Sequence, residues 1–350
     1  MDITAKLLKW YDENRRDLPW RGTRDPYLVW VSEIILQQTR VDQGLEYYCR
    51  FLTRFPDIQS LAGASLDDVM RAWQGLGYYS RARNMAEAAR TIVKYFDGRF
   101  PSDYEQIRAL KGIGPYTAAA IASICFDQPL PVVDGNVIRF LSRLYGIDAL
   151  LDTFAGRRTI SDLAERLLDP KRPGDFNQAM MEFGAIACRP ANPDCRRCIF
   201  QTECVAYGTN RVRELPRPRR QPIIRHRWFT YLYVRIPGTT GTKVMLGQRQ
   251  GDDIWKGLYE FPLIEMTRPV SSVKLVRTHE WKEAFKGIGY RVVRQHPLVR
   301  HPLTHQMIHA VFFEIEANRP LKGDYLAVAE NELGNYPVPK LIQDFIRALS

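Results

Sequence analysis

The chain has no apolar run approaching the roughly 20 residues that cross a bilayer, so no membrane-spanning helix is expected. Its opening stretch, MDITAKLLKWYDENRR, lacks the charged-then-apolar order of a secretory signal and reads as an amphipathic helix; the expected compartment is the cytoplasm. Acidic residues are in deficit, with 39 Asp and Glu against 50 Lys and Arg, a net charge of +11 and a pI of about 9.4. That balance favours a polyanionic partner without identifying one. Cysteine is scarce as well, at six residues. Four of the six nevertheless crowd into seventeen positions as Cys188, Cys195, Cys198 and Cys204, a C-x6-C-x2-C-x5-C run. A reducing compartment argues against disulfides, so four thiolates this close ask for a metal. Zinc ribbons pair two short knuckles far apart, whereas one C-x2-C flanked by wider gaps suits an iron–sulfur cubane; spacing favours the cluster and leaves zinc open. Cys49 and Cys125 read as ordinary buried thiols.

At 350 residues the chain has room for two domains. The first 206 read as helix throughout, with segments at 3–15, 28–41, 44–54, 65–73, 80–96, 103–109, 137–145, 157–168 and 175–187. Within this part, LKGIGPYTAAAIASICFDQPLPVVDGN (110–136) carries the densest chemistry. Gly112 and Gly114 form a tight turn feeding an alanine-rich helix over 117–126, and a glycine turn at a helix N-terminus is a phosphate cradle. Asp134 follows that helix by eight residues. It has two readings, an N-cap for the next helix or a carboxylate working on a sugar beside the phosphate clamp. Glu33 lies in the apolar helix SEIIL, where an acid either reaches solvent or carries a perturbed pKa for a purpose. Tyr78 and Tyr79, with Arg81 and Arg83 close behind, make a loop suited to wedge into stacked bases, or else to pack one tyrosine in the core. From 208 to 227 the chain reads GTNRVRELPRPRRQPIIRHR, with seven arginines, three prolines and one glutamate, which predicts a tether along phosphates. WFTYLYVR, KVMLGQR and AVFFEIE then alternate as strands, and a helix over 339–349 closes a small α+β domain.

LPWR (18–21), VSEIILQQTRV (31–41), GLGYYSRARN (75–84), LKGIGPYTA (110–118) and VDGNV (133–137) closely resemble the helix-hairpin-helix DNA glycosylases that carry an iron–sulfur cluster, and in particular the MutY-type adenine glycosylase family. The resemblance runs nearly end to end. It implies an all-α catalytic domain over 1–206, in which a six-helix module (22–128) adjoins an iron–sulfur module (1–21 with 129–206). A basic linker (207–227) and a Nudix-like α+β recognition domain (228–350) follow. In such a family the four cysteines bind a [4Fe–4S] cluster, Glu33 protonates adenine N7 and Asp134 stabilises the sugar cation, with Tyr116 and Asn136 supporting the two carboxyls. DNA contacts fall to Arg21, Gln38, Tyr78, Gly112, Gly114, Thr304 and His305. The implied substrate is adenine opposite 8-oxoguanine or guanine in double-stranded DNA, and the implied state is a monomer. Two departures matter. Tyr116 stands where the sister endonuclease III family has a nucleophilic lysine, so hydrolysis without a Schiff base is expected. His301-Pro302-Leu303-Thr304-His305 replaces a Phe-Ser-His loop end, and no hydrolase signature follows Phe261-Pro262, so the tail reads as a binding module.

Overall fold

A computed structural model describes residues 2–150, 153–217, 223–239 and 241–349. The chain divides into two compact units, Met1–Ala64 with Asn84–Arg220, and Ser65–Arg83 with Gln221–Ser350. No helix among the described residues is long and apolar enough to cross a membrane.

The helices run in order α1 (Ile3–Asn14), α2 (Pro26–Leu36), α3 (Val41–Arg54), α4 (Ile58–Gly63), α5 (Leu66–Ala72), α6 (Ser80–Tyr95), α7 (Tyr104–Ala109), α8 (Pro115–Phe126), α9 (Gly135–Tyr145), α10 (Phe154–Leu167), α11 (Pro173–Glu182) and α12 (Val205–Gly208). Helix α2 starts where Asp25 accepts hydrogen bonds from the Tyr27 and Leu28 amides and Pro26 fills the first helical position. It ends five residues before the expected 41, because Gln38 takes a positive φ of 61° that no helix accommodates. Seven helices lie between 22 and 128 where six were expected. The extra one is α4, nucleated by a reciprocal capping box between Asp57 and Ser60. Helix α8 is buried from Thr117 to Cys125 and forms the axis of the first unit. The expected helix over 175–187 is instead α11 followed by a π-helical turn, Phe183–Ala187. Cys125 is buried as expected, whereas Cys49 is exposed on the outer face of α3.

In the second unit, strands β1 (Arg225–Ile236), β2 (Lys243–Gln248), β3 (Tyr259–Glu260), β4 (Leu263–Met266), β5 (Tyr290–Gln295), β6 (Val299–Pro302), β7 (Gln306–Ala317) and β8 (Tyr325–Ala329) form one sheet. Its path is β3-β2-β1-β7-β5, with β4 on β1, β6 on β7 and β8 on β2. Parallel pairing of β1 with β7 runs from Arg225↔Gln306 to Arg235↔Glu316 and forms its spine. One face buries Phe229, Tyr231, Tyr233 and Phe312 against Leu341, Ile342 and Phe345 of the closing helix Lys340–Leu349. The other face buries Leu232, Val234 and Phe313 against Trp281 and Phe285. Period-two alternation along β1 and β7 makes both cores from the same strands.

The first half of the stretch read as a linker is packed on the first unit. Leu215 is buried, and Arg211 donates to Asp148 at 2.6 Å. Residues 218–222 of that stretch lie outside the described residues.

The π-helical turn fixes the position of α9. A Cβ built on Gly184 would stand 2.6 Å from Asn136 O and 2.8 Å from its carbonyl carbon, both backbone atoms that no rotamer change can move. Gly184→Ala is therefore expected to destabilise the protein by about 1–3 kcal/mol through overpacking at the first turn of α9, measured as a lower denaturation midpoint at unchanged m-value.

Candidate active site

Three helix ends converge on a cleft of about 640 Å³ in the first unit. Its walls include Glu33 from α2, Gln38 just beyond α2, Gly114 and Tyr116 at the start of α8, Asp134 and Asn136 at the start of α9, and Arg21. Seven of the residues singled out in the sequence are thus brought into one cavity.

Asp134 is both a cap and a cleft-lining carboxylate. Its Oδ1 accepts from the Asn136 and Val137 amides at 2.8 Å each, and its Oδ2 from Asn136 Nδ2 at 2.6 Å. Burial raises its pKa above the usual aspartate value, against the pull of those three donors and of Arg139. Asn136 in turn accepts from Arg139 Nη2 at 2.9 Å, and Arg139 also donates to the carbonyls of Gly184, at 2.5 Å, and Cys188, at 2.8 Å. A continuous run of hydrogen bonds therefore links Asp134 to the first cysteine of the C-x6-C-x2-C-x5-C run.

Glu33 is half-buried on the cleft wall. Burial pushes its pKa up to about 7; a hydrogen bond from Tyr116 and the Arg21 charge oppose the rise, and Asp134 adds to it. At neutral pH a substantial fraction of Glu33 holds its proton. The Tyr116 hydroxyl, 3.2 Å from Met181 Sδ, is driven well above its ordinary pKa by burial and then by the two carboxyls, so it remains a donor. Arg21 is held inside the cleft, where it donates to Gln178 Oε1 at 2.5 Å and Glu182 Oε2 at 3.1 Å. Arg16 grips the same Glu182 through Nε at 2.6 Å and Nη2 at 2.8 Å. Burial alone would raise Glu182, but the Arg16 hydrogen bonds and the Arg21 charge win and hold it below the usual range. Arg16, Gln178, Glu182 and Arg139 were not singled out in the sequence. Glu182 could have been, by the reasoning applied to Glu33, as an acid beside Phe183 in an apolar helix.

Gly112 takes φ +79° in the hairpin between α7 and α8, and a Cβ there would approach Asn84 Cβ to 2.5 Å. Gly114 caps α8 with open space where a side chain would stand, so a phosphate could reach the first-turn amides, which have no intrahelical partner.

Tyr78, Thr304 and His305 belong to the second unit and line a separate cleft of about 560 Å³. Tyr78 is about half exposed, with a positive φ of 47°, and its hydroxyl is hydrogen-bonded to Thr304 Oγ1. Leu303, Thr304 and His305 form the tip between β6 and β7, closed by Leu303 N to Gln306 O at 2.8 Å. Leu303 packs inward on the sheet core, while Thr304 and His305 are exposed.

All four cysteines of the run line one cavity in the first unit, together with Phe140, Phe183 and Phe200, and none forms a disulfide. Among the described residues, no three His, Cys, Asp or Glu side chains approach closely enough to hold a single metal ion. A tetrahedral zinc with Zn–S bonds of about 2.3 Å needs sulfurs about 4 Å apart. Four thiol donors around an apolar-walled cavity fit, by their chemistry, a metal group bound at four corners.

The profile of the HhH-GPD superfamily base excision DNA repair proteins matches residues 31–165, and that of the NUDIX domain matches 235–348. The adenine DNA glycosylase of Rattus norvegicus is 40% identical over 318 residues, covering 76% of this chain and 61% of its own length. That of Buchnera aphidicola subsp. Schizaphis graminum is 32% identical over 311 residues, covering 87% and 85%. This chain thus spans about three-fifths of the rat relative and most of the bacterial one. Among solved structures, a thermostable thymine-DNA glycosylase superposes with a TM-score of 0.54 at 29% identity, over 59% of this chain and 95% of that one. With a relative matched along most of both lengths, the chain belongs to the adenine DNA glycosylase family.

Proposed function

We propose that the protein is a monofunctional glycosylase that extrudes adenine paired with 8-oxoguanine or guanine in duplex DNA and hydrolyses its glycosidic bond. The observation that carries this reading is the pairing of Glu33, raised to about 7, with the thrice-donated Asp134 in one cleft. Two carboxyls with different environments divide acid and charge-stabilising roles. Protonated Glu33 gives its proton to adenine N7, and the C1′–N9 bond breaks with its electron pair remaining on adenine. Asp134, ionised and pinned, faces the positive charge that develops on the sugar. Water then adds to C1′ and its proton passes to Glu33, leaving free adenine and an abasic site. Tyr116 offers no amine, so no lyase step follows. Gly112 and Gly114 hold a backbone phosphate, Gln38 and Tyr78 fill the space left in the duplex, and Thr304 and His305 contact the opposite base. Cys188, Cys195, Cys198 and Cys204 hold a [4Fe–4S] cluster, which, when bound, supplies a rigid cross-link to the cysteine loop and takes no part in the steps above.

The test is single-turnover excision from duplexes bearing A opposite 8-oxoguanine, A opposite G and T opposite G, with and without alkali. Adenine release needing alkali for strand scission is expected, and thymine release would move the protein to a mismatch-specific thymine glycosylase. Asp134→Asn keeps the cap but removes the charge, so excision should fall by at least about 10²-fold, the order supplied by one preorganised electrostatic contact, while duplex binding persists.

The pH dependence follows from the two shifts. Glu33 must be protonated to act, so kcat/KM should fall as pH rises through about 7. Asp134 must be ionised, so activity should also fall on the acid side, at a pH above the ordinary aspartate range because its pKa is raised. A flat profile through this window would contradict the assignment.

Stability moves with the same group. Above the ordinary value of 4.5 the unfolded chain ionises at Glu33 while the native protein retains the proton until about 7, so native stability declines between them. Glu33→Gln abolishes this decline along with activity. In urea titrations it should match the wild type near pH 4 and exceed it at pH 8 by at most about 3 kcal/mol.

A further inference from the structure

The stretch 205–217 carries a role that its basic, proline-broken composition conceals. After Cys204, helix α12 packs where Gly146 leaves room, since a Cβ on Gly146 would stand 2.5 Å from Val205 Cγ1. The chain then turns back, Arg211 N donating to Ala206 O at 2.7 Å and Leu215 N to Arg211 O at 3.1 Å. Tyr207 and Val212 line the same cavity as the four cysteines. Leu215 is 2% exposed, as buried as a core residue. Two arginines of the stretch, Arg211 and Arg217, converge on Asp148 just after α9. Arg143, 4% exposed on α9, joins both sides of the cavity. Its Nε donates to Leu215 O at 2.9 Å, its Nη1 to Arg189 O at 2.7 Å and to Cys188 Sγ at 3.6 Å, and its Nη2 to Pro190 O at 3.0 Å.

We propose that residues 205–217 form a strap that completes the pocket of the metal cluster, with Arg143 as the tie between strap and cysteine loop. Resting on the cluster assignment made above, it extends the cofactor site to Tyr207, Val212, Leu215 and Arg143, none of which is a ligand. The strap covers the cavity with apolar side chains, and the planar guanidinium fork satisfies loop and strap carbonyls that would otherwise face each other unpaired. Two chemical consequences follow. Opening of the strap uncovers the apolar wall of the cluster pocket to solvent, and the strap keeps its path only while the cysteine loop is in place.

Full-length Asp148→Ala releases both clamping arginines at an exposed site and should fold; Leu215→Ser adds a polar group to the buried end of the strap. Both are to be compared with wild type for iron content, for the rate at which bathophenanthroline disulfonate strips iron, and for amide hydrogen exchange across 205–217. The wild type should contain iron and protect this segment. Each variant should lose iron several-fold faster, with faster exchange confined to the strap and an unchanged far-ultraviolet melting curve for Asp148→Ala. Removing iron from the wild type should likewise deprotect 205–217. Faster exchange with wild-type iron loss would overturn the strap while leaving the cluster standing. An iron-free wild type with four reactive thiols would remove the cluster and the strap together, a result distinguishable from the first by the metal analysis alone.

Discussion

The N-terminus of α9 is the constraint on which the first unit depends. One carboxylate, Asp134, closes the helix by accepting two backbone amides and is at the same time the charge presented to the cleft. A cap of this kind contributes about 1 kcal/mol, so the local fold would tolerate Asn or Ser there. What an uncharged cap cannot supply is a negative charge whose direction is set by three donors. The surroundings are arranged to hold that direction. Gly184 lets the π-helical turn touch Asn136, and Arg139 bridges Asn136 to the carbonyls of Gly184 and Cys188. π-helical turns are uncommon and frequent at functional sites; this one brings the segment leading into the cysteine run against the first turn of α9.

Glu33 is held by the opposite device. Few donors are aimed at it, and α2 buries Val29, Trp30, Val31, Ile34 and Ile35 around it, so its proton is retained by desolvation. Ionised Asp134 adds to that retention, since a second negative charge in the cleft is disfavoured. The Arg21 charge works against it from a fixed place, since Glu182 and Gln178 hold its guanidinium. Arg16 and Glu182 therefore bear on Glu33 at one remove, by fixing a nearby cation in place.

The carboxyls and hairpin glycines were legible in the sequence because each violates a local expectation. An acid in an apolar helix, two glycines before an alanine-rich helix and four cysteines in seventeen positions are all visible without partners. Arg139 and Arg143 were not, because a buried cation's role depends on which carbonyl or carboxylate the tertiary fold brings to it. The helices that Asp25 and Gly114 cap begin two residues before the expected 28 and 117, and the end of α8 falls at the expected 126, whereas α2 stops early, since the break after Leu36 comes from the left-handed backbone of Gln38, a residue with no intrinsic preference for it. The basic stretch after 207 misled for a related reason. Composition describes a free chain, but Leu215 is buried and Arg211 and Arg217 are spent on Asp148 rather than left for phosphates.

The second unit shows the same logic in reverse, with charges committed to one another. Around QRQGDDIWKGLYEFP, Arg227 forks onto Asp253 at 2.8 and 2.7 Å and onto Glu265 at 2.7 Å. Arg249 takes both oxygens of Glu260, at 2.8 and 2.9 Å, and reaches Asp253 at 2.8 Å. Both arginines are nearly buried, and removing Arg249 would strand the nearly buried Glu260, a far larger loss than an exposed pair would bring. Carboxylates so engaged are poor cation ligands, since binding would require breaking a bidentate pair first. The fold therefore keeps the Nudix sheet while its acids are committed to internal order, and what remains outward is the hairpin tip carrying Thr304 and His305, beside the strained Tyr78. A sheet whose polar interior is locked by arginine pairs gives that tip a rigid base.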